Sequence, residues 1–312
     1  MVQIRKTGKH IEIDGFIEKK RETPKGENIF ATYVPEWSLS DLIVNDEIKN
    51  NLKDAILFCQ HKDDLMNEWE LKRFLKGKGG CIGINMYGPP GTGKSISAEA
   101  IAASLHKKII KVDFSEIQDS KWGGTEKKLS QLFESAEKED TIIFFDEADC
   151  LLGERKSEGA NASTNHQIKS HLLNLMDRSA VIVVFATNLF ENYDRAFFRR
   201  ILFHIEYTLP SVEQLEKLWR FHLTEKVPKS PDFTYAKLAE LSTGLSGGDI
   251  KNLTLKMCII LKSRRYDAVN LDMAKNEIES YKKSLNKIRI KNYKTQELQG
   301  SSVPKEIREH LS

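Results

Sequence analysis

The sequence predicts an α/β fold built on a mostly parallel sheet, followed by a second, smaller domain made only of helices. Two apolar runs, at residues 141–145 and 180–186, have the length and composition of strands buried on both faces of a parallel sheet. Segments with helical spacing alternate with such runs as far as residue 210. From residue 211 onward only helical spacing remains, and this change predicts the domain boundary.

The first residues are predicted to form a small arm. Residues 3–19 alternate weakly between apolar and polar side chains, and residues 22–28 contain a proline and a glycine. An alternation this short cannot bury a core of its own. We therefore expect residues 1–35 to be a β arm and linker, and residues 36–210 to be the α/β domain.

A helix and a basic stretch precede the first strand of the sheet. Helical spacing runs over residues 47–61, and Ser40 or Asp41 is the expected cap. Residues 72–78 are basic and carry one aromatic side chain, Phe74. We interpret this stretch as a solvated segment, because nucleic-acid-binding patches interleave basic and aromatic side chains.

The alternation of Ile82, Ile84 and Met86 predicts a strand that leads into a glycine-rich loop. Residues 88–95 read Gly-Pro-Pro-Gly-Thr-Gly-Lys-Ser, which fits the phosphate-loop pattern, and helical spacing follows over 97–105. Backbone N–H groups in such a loop point at a phosphate at a helix N-terminus, where the helix dipole favours an anion. The predicted nucleotide contacts are Gly88, Pro89, Pro90, Gly91, Thr92, Gly93, Lys94 and Ser95.

Two side chains of the loop have specific expected roles. Lys94 would reach the β- and γ-phosphates, and the Ser95 hydroxyl would bind magnesium. The alternative is a chance glycine-rich turn, but such a match should arise in only about one chain in a hundred of this length. The loop therefore predicts that the chain binds ATP with magnesium.

An acidic pair completes the predicted site. The apolar run 141–145 ends in Asp146 and Glu147. An aspartate at the carboxyl end of such a strand holds the water shell of magnesium, and an adjacent glutamate can orient and polarise the attacking water. Asp149 is the next candidate for the base, and a strand that simply meets solvent at an acidic loop is the alternative interpretation.

The remaining pattern completes the two domains. Further strands are expected at residues 108–113 and 202–207, with helices at 127–137 and 166–176 and an irregular stretch at 153–165. In the helical domain, residues 211–290, helices are expected at 212–224, 235–241, 248–262 and 271–287. Residues 291–312 are predicted to be a polar tail.

The composition limits the class of protein. The 312 residues are enough for a large and a small domain, and the net charge of +3 does not favour a nucleic-acid partner. The cysteines form no CxxC pair, which predicts reduced thiols and a cytoplasmic protein. No apolar run reaches transmembrane length and the first residues lack a signal-peptide core, so no membrane association is expected.

The two nucleotide motifs and the helical tail together resemble the classical AAA branch of the AAA+ ATPases, over residues 37–287. The resemblance implies a P-loop NTPase domain followed by a helical lid, and the length of the chain is similar to that of stand-alone single-module members from bacteria and phages. Residues 146–149 also spell the acidic motif of DEAD-box RNA helicases. Those helicases need a second RecA-like domain, whereas only helical spacing follows residue 210 here.

The resemblance extends to residues that act on the γ-phosphate. Asn188 matches the sensor-1 position, which in the family places the attacking water. Residues 194–200, Asp-Arg-Ala-Phe-Phe-Arg-Arg, resemble the family's second region of homology, which ends in arginine fingers that reach the nucleotide of a neighbouring subunit. Arg199 and Arg200 are adjacent here, without the usual spacer, so both are candidates for the finger and Arg200 is preferred.

Two further segments fit the resemblance. Residues 244–250, Gly-Leu-Ser-Gly-Gly-Asp-Ile, are similar to the lid motif, and the resemblance implies that Gly247 and Ile43 contact the nucleotide. Residues 121–124, Lys-Trp-Gly-Gly, are similar to a pore loop in which an aromatic residue, here Trp122, grips a polypeptide client. A core position is the alternative for this side chain, but the surrounding polar loop favours exposure.

The predicted function is an ATP-hydrolysing protein-remodelling machine that threads or pulls a specific client through the pore of a homo-oligomeric ring, most simply a hexamer. Glu147 and the paired arginines favour turnover, and Trp122 favours a polypeptide client. The alternative is a nucleotide-gated scaffold or loader that assembles partners without threading. No large recognition domain precedes the α/β domain, so we expect a dedicated client or adaptor, met by the arm at residues 1–35.

Overall fold

A computed structural model describes residues 5–7, 10–12, 30–70, 80–113, 117, 123–152, 162–188, 194–263 and 266–298. At the N-terminus, strands β1 (Arg5–Thr7) and β2 (His10–Glu12) form an antiparallel pair. This pair lies where the sequence predicts the β arm.

Within the described residues, five strands form one sheet in which every pairing is parallel. The strands are β3 (Ile82–Tyr87), β4 (Ile109–Asp113), β5 (Ile142–Asp146), β6 (Ile182–Thr187) and β7 (Ile201–Glu206). Their spatial order is β4-β5-β6-β3-β7. The predicted α/β fold is confirmed, and β3, which precedes the glycine-rich loop, lies inside the sheet between β6 and β7.

Helices cover both faces of the sheet. They are α1 (Asp46–Glu68), α2 (Lys94–Ser104), α3 (Gly124–Glu139), α4 (Asp149–Leu152), α5 (Ala162–Arg178) and α6 (Arg195–Phe198). Side chains of a strand point alternately to opposite faces, so one apolar strand can serve two cores. In β5, Ile142 and Phe144 pack in the core with α1 and α2, whereas Ile143 and Phe145 pack in the core with α3 and α5.

In the described residues after the sheet, four helices share a separate core. They are α7 (Val212–His222), α8 (Tyr235–Leu241), α9 (Gly247–Lys262) and α10 (Leu271–Leu298). Trp219 is fully buried at the centre of this core, and its Nε1–H donates to Ser242 Oγ at 3.0 Å. Of the helices in the described residues, none combines the length and the apolar composition needed to cross a bilayer.

Several predicted helix ends were wrong, because polar residues with good helix propensity extend a helix beyond its apolar stripe. Helix α1 continues to Glu68, and its cap is Asn45, whose Oδ1 accepts from the Ile48 N–H at 2.7 Å. The predicted cap Asp41 instead ends a short 3₁₀ helix (Leu39–Asp41) that begins after Ser38. Helix α10 continues to Leu298, past the predicted end at residue 287.

Candidate functional site

A pocket of about 630 Å³ lies at the carboxyl edge of the sheet, where the loops after β3, β5 and β6 meet. One side is lined by residues 90–96 of the glycine-rich loop and α2, by Asp146 and Glu147 after β5, and by Asn188 after β6. The segment 37–48 and helices α7 and α9 line the other side. Open parallel α/β sheets bind ligands at this edge.

Glycines in the loop allow it to lie against β7 and against α9. Gly88 has φ +136°, and a Cβ there would lie 2.0 Å from the Tyr207 carbonyl oxygen. Gly91 has φ +75°, and a Cβ there would lie 2.5 Å from Ser246 Oγ. The Gly91 carbonyl oxygen accepts from the Gly248 N–H at 3.0 Å. The loop is therefore held between the end of the sheet and the first turn of α9.

Lys94 is a buried cation at the first position of α2. Its Nζ donates to the carbonyl oxygens of Gly88 at 2.7 Å and Pro89 at 2.9 Å, and to Asn188 Oδ1 at 2.9 Å. Burial lowers the pKa of Lys94 to about 8, although the negative charges of two nearby aspartates oppose this shift. Oxygen atoms of a phosphate can take the place of these neutral acceptors and restore the charge balance.

Ser95 and Asp146 supply oxygen atoms that fit a magnesium ion. Ser95 Oγ donates to Asp146 Oδ2 at 3.1 Å, so the hydroxyl and the carboxylate already lie together. Magnesium takes oxygen ligands and is commonly bound through one or two carboxylates together with substrate phosphates. A further cation reaches the same carboxylate, because Lys111 Nζ of β4 lies 2.7 Å from Asp146 Oδ2.

Glu147 is exposed and lines the pocket beside Asp146. Its φ of +52° lies in the left-handed region, which is uncommon for a residue other than glycine. Its N–H donates to Asp146 Oδ1 at 3.1 Å. The turn therefore keeps the two acidic residues together, with Glu147 at the pocket surface where a base would meet water.

Asp149 links the acidic loop to the end of β6. Its Oδ1 accepts from the Thr187 hydroxyl and, at 2.9 Å, from the Asn188 N–H. The backbone joins the same two segments, since the Ala148 N–H donates to the Ala186 carbonyl oxygen at 2.8 Å. These contacts occupy the Asp149 carboxylate within the protein, so Glu147 is the better candidate for the base.

The other side of the pocket carries several apolar and aromatic side chains. Ile43 and Gly247, the two predicted nucleotide contacts outside the glycine-rich loop, both line it. Trp37 and Phe221 also line it, and their ring centroids are 6.3 Å apart. His222 follows Phe221 at the end of α7. Aromatic and apolar walls with few polar groups are typical of the part of a pocket that takes a planar ring.

The two arginine candidates have different environments. Arg200 donates through Nε to Asp177 Oδ1 at 2.8 Å and through Nη2 to Asp177 Oδ2 at 2.9 Å, which is a bidentate pair within the chain. Arg199 is exposed. Neither arginine lines the pocket of its own chain. Trp122 and the rest of the predicted pore loop before Gly123 lie outside the described residues.

Comparison with known proteins shows the family of the chain. The model of the ATPase family associated with various cellular activities (AAA) matches residues 84–210, which include most of β3 and all of β4 to β7. Cell division protein C of Sulfolobus acidocaldarius is 31% identical over 306 residues, and the match covers 92% of this chain and 75% of that protein. The chain belongs to the AAA family of ATPases.

Other relatives match a smaller part of their own length. Vacuolar protein sorting-associated protein 4 of Dictyostelium discoideum is 31% identical over 242 residues. This match covers 76% of this AAA ATPase and 52% of the relative. Protein CdcH of Halobacterium salinarum is 31% identical over 252 residues, 77% of this AAA ATPase and 32% of the relative. The AAA ATPase therefore spans about half the length of the vacuolar sorting protein and about a third of the length of CdcH.

Sequence patterns missed several residues that line the pocket of this AAA ATPase. The missed residues are Trp37, Thr208, Phe221, His222 and Lys251. They come from four separate segments and belong to no motif, so only the fold brings them together. The ion pair of Lys111 with Asp146 was missed for the same reason. The sequence places Lys111 in a predicted strand but does not show that this strand pairs with the one that ends in Asp146.

Proposed function

We propose that this AAA ATPase remodels a specific protein client as part of a ring of identical subunits, most simply a hexamer. The single observation that best supports turnover is the network at one pocket, in which Lys94 contacts Asn188 and Ser95 contacts Asp146. These contacts bring together groups from three loops at the carboxyl edge of the sheet. The proposal takes magnesium as the cofactor and residues 36–210 as the catalytic domain.

Each pocket side chain has one task in this proposal. Lys94 binds the β- and γ-phosphates after exchanging its present carbonyl and amide partners. Ser95 and Asp146 hold magnesium, which neutralises phosphate charge when bound. Glu147 accepts the proton of the attacking water, and Asn188 orients this water.

Arg199 is proposed as the finger that reaches the nucleotide of the next subunit. The sequence alone left Arg199 and Arg200 open and preferred Arg200. The bidentate pair with Asp177 engages Arg200 within its own chain, whereas Arg199 is exposed. A finger must leave its own surface to bind phosphate, and an exposed guanidinium loses fewer contacts in doing so.

Residues 211–290 are proposed to act as a lid whose position depends on the nucleotide. The hydrogen bond between the Gly248 N–H and the Gly91 carbonyl oxygen joins the first turn of α9 to the glycine-rich loop. Gly247 and His222 contribute to the same pocket from the lid side. A nucleotide that fills the pocket would therefore contact both units at once, which links its hydrolysis to lid movement.

Trp122 is the proposed client-gripping residue, and its substitution tests whether the machine threads its client. A client captured with the Glu147→Gln variant would be the substrate in a remodelling assay. We expect Trp122→Ala to hydrolyse ATP within about threefold of the wild-type rate and to melt at nearly the same temperature, while client remodelling is lost.

Two other results would contradict the threading proposal. Unchanged remodelling by Trp122→Ala would support the nucleotide-gated scaffold instead. A loss of about 3–5 kcal/mol in the free energy of unfolding would mean that Trp122 is a core residue. Trp69→Ala is a suitable control, because Trp69 is 65% exposed and directly follows α1.

A further inference from the structure

Lys111 reaches the magnesium-binding carboxylate from the neighbouring strand. The parallel register sets Lys111 of β4 opposite Phe144 and Asp113 opposite Asp146. The Lys111 side chain passes over the Phe144 ring, with Nζ 5.8 Å from its centroid, and ends 2.7 Å from Asp146 Oδ2. A cation of the protein therefore lies next to the oxygen atoms that are proposed to hold magnesium.

The Asp146 carboxylate is already engaged on both oxygens. Oδ2 accepts from Ser95 Oγ at 3.1 Å and pairs with Lys111, while Oδ1 accepts from the Glu147 N–H at 3.1 Å. The side chain of Lys111 is 41% exposed and that of Asp146 is 23% exposed. The ammonium group can therefore move into solvent, whereas the carboxylate is held in place by its other partners.

We propose that Lys111 is a positioning residue that acts as the built-in counter-cation of Asp146 and sets the magnesium concentration that the site requires. This inference rests on the proposed role of Asp146 as a magnesium ligand. Lys111 holds the carboxylate and neutralises it while magnesium is absent. Magnesium must then displace the ammonium group from Asp146 Oδ2, or bind beside a like charge.

The charges predict the direction in which each affinity should change when Lys111 is removed. Without Lys111, the Asp146 carboxylate would face the phosphates of a metal-free nucleotide with one cation fewer nearby, so metal-free binding should weaken. Magnesium would meet neither competition for Asp146 Oδ2 nor repulsion from an ammonium group, so its own binding should strengthen. Lys111 thus raises the affinity for the metal-free nucleotide and lowers the affinity of the site for magnesium.

The test is the affinity of the Lys111→Met protein for ADP, measured by calorimetry in EDTA and across a magnesium titration. Methionine keeps the length of the side chain and removes the charge. We expect ADP binding in EDTA to weaken by about threefold. Magnesium increases the affinity for ADP, and the magnesium concentration that gives half of this increase should fall by about tenfold. Both readouts measure binding without hydrolysis.

Matched variants separate a charge effect from damage to the fold. Lys111→Arg keeps the charge and should show the magnesium dependence of the wild type. Lys107→Met removes the lysine that pairs with Asp140 near the opposite end of β4, so it makes the same change in net charge away from the pocket. It should leave the magnesium titration unchanged.

The outcomes distinguish a failure of this inference from a failure of the magnesium assignment. Asp146→Asn should greatly weaken the effect of magnesium on ADP binding. If it does so while Lys111→Met needs as much magnesium as the wild type, or more, the counter-cation role is wrong and the assignment of Asp146 stands. If Asp146→Asn has no effect, Asp146 is not the ligand and both proposals fail.

Discussion

At the scale of single residues, the nucleotide pocket holds its charged groups by contacts that a phosphate or a metal can replace. Lys94 binds two carbonyl oxygens and Asn188, and Asp146 binds Ser95 and Lys111. Each contact pairs a charge with a partner inside the protein, so no charge is buried alone. Nucleotide binding is then an exchange of partners, which costs less than ordering free side chains.

Glu147→Gln should separate binding from catalysis. The amide keeps the shape of the side chain but cannot accept a proton from water, so kcat should fall by about 10²–10⁴-fold while nucleotide affinity stays within about twofold. Steady-state kinetics and calorimetry of the same preparation measure the two effects. Glu137→Gln, an exposed position on α3, is the matched control. Near wild-type turnover by Glu147→Gln would assign the base elsewhere.

His222 should make the stability of the fold sensitive to acid. Burial and the positive charge of Lys251 lower the pKa of His222. Because the folded pKa is below the unfolded value, the unfolded chain binds more protons, and stability should fall as the pH drops below about 6.5. Thermal melts from pH 7.5 to 5 measure this slope. His222→Gln should flatten it, and Lys251→Gln should raise the pKa of His222 in an NMR titration.

The exposed histidine His61 provides the control for this experiment, because it lies on the surface of α1. His61→Gln should keep the acid slope of the wild type. An unchanged slope in His222→Gln would show that another group causes the loss of stability.

At the scale of elements, the glycine-rich loop depends on how closely β3 and β7 approach each other. The Tyr87 carbonyl oxygen accepts from the Tyr207 N–H at 2.7 Å, and Gly88 follows directly with a positive φ. The loop can leave the sheet there only because no side chain is present. The loop pattern therefore serves the packing of the sheet as well as the predicted phosphate binding.

Gly88→Ala tests this constraint. The new Cβ would lie 2.0 Å from a backbone oxygen, and the positive φ adds strain, so the free energy of unfolding should fall by about 3 kcal/mol. Gly244→Ala is the matched control, because Gly244 has φ +87° with nothing within 4 Å of the added Cβ. It should cost only about 1 kcal/mol. Equal losses in urea unfolding would mean that the contact with Tyr207 relaxes.

At the scale of the whole molecule, no arginine among the described residues lines the pocket. Arg199 and Arg200 do not line the pocket. A second copy of the chain would supply the missing guanidinium if subunits form a ring. Turnover should then depend on assembly, and an isolated subunit should hydrolyse ATP slowly.

A mixing experiment with two inactive variants tests this dependence. Arg199→Ala should bind nucleotide but lose about 10³-fold in turnover. A mixture with Glu147→Gln should regain activity, because the Glu147→Gln subunit supplies Arg199 to a neighbour whose Glu147 is intact. No regain on mixing would contradict a finger supplied by a neighbouring subunit. Arg200→Ala should mainly lower stability, by about 1 kcal/mol, through loss of the pair with Asp177.

The sequence by itself determined the fold class and predicted the phosphate-binding residues, because both depend on short, contiguous patterns. Residues 88–95 carry the loop, its lysine and its serine in one run, and Asp146 and Glu147 end one apolar strand. The alternation of apolar runs with helical spacing predicted the parallel sheet, since burial on two faces excludes polar residues from a strand.

Only the tertiary structure decided which distant residues contact one another. The pair of Arg200 with Asp177 spans 23 residues, and the contact of Lys94 with Asn188 spans 94. Lys111 meets Asp146 because β4 and β5 are neighbours, and His222 reaches the pocket from α7. Local spacing indicates which face of a helix or strand a residue occupies. It does not indicate which residues that face contacts, because contacts between distant residues depend on the packing of the whole chain.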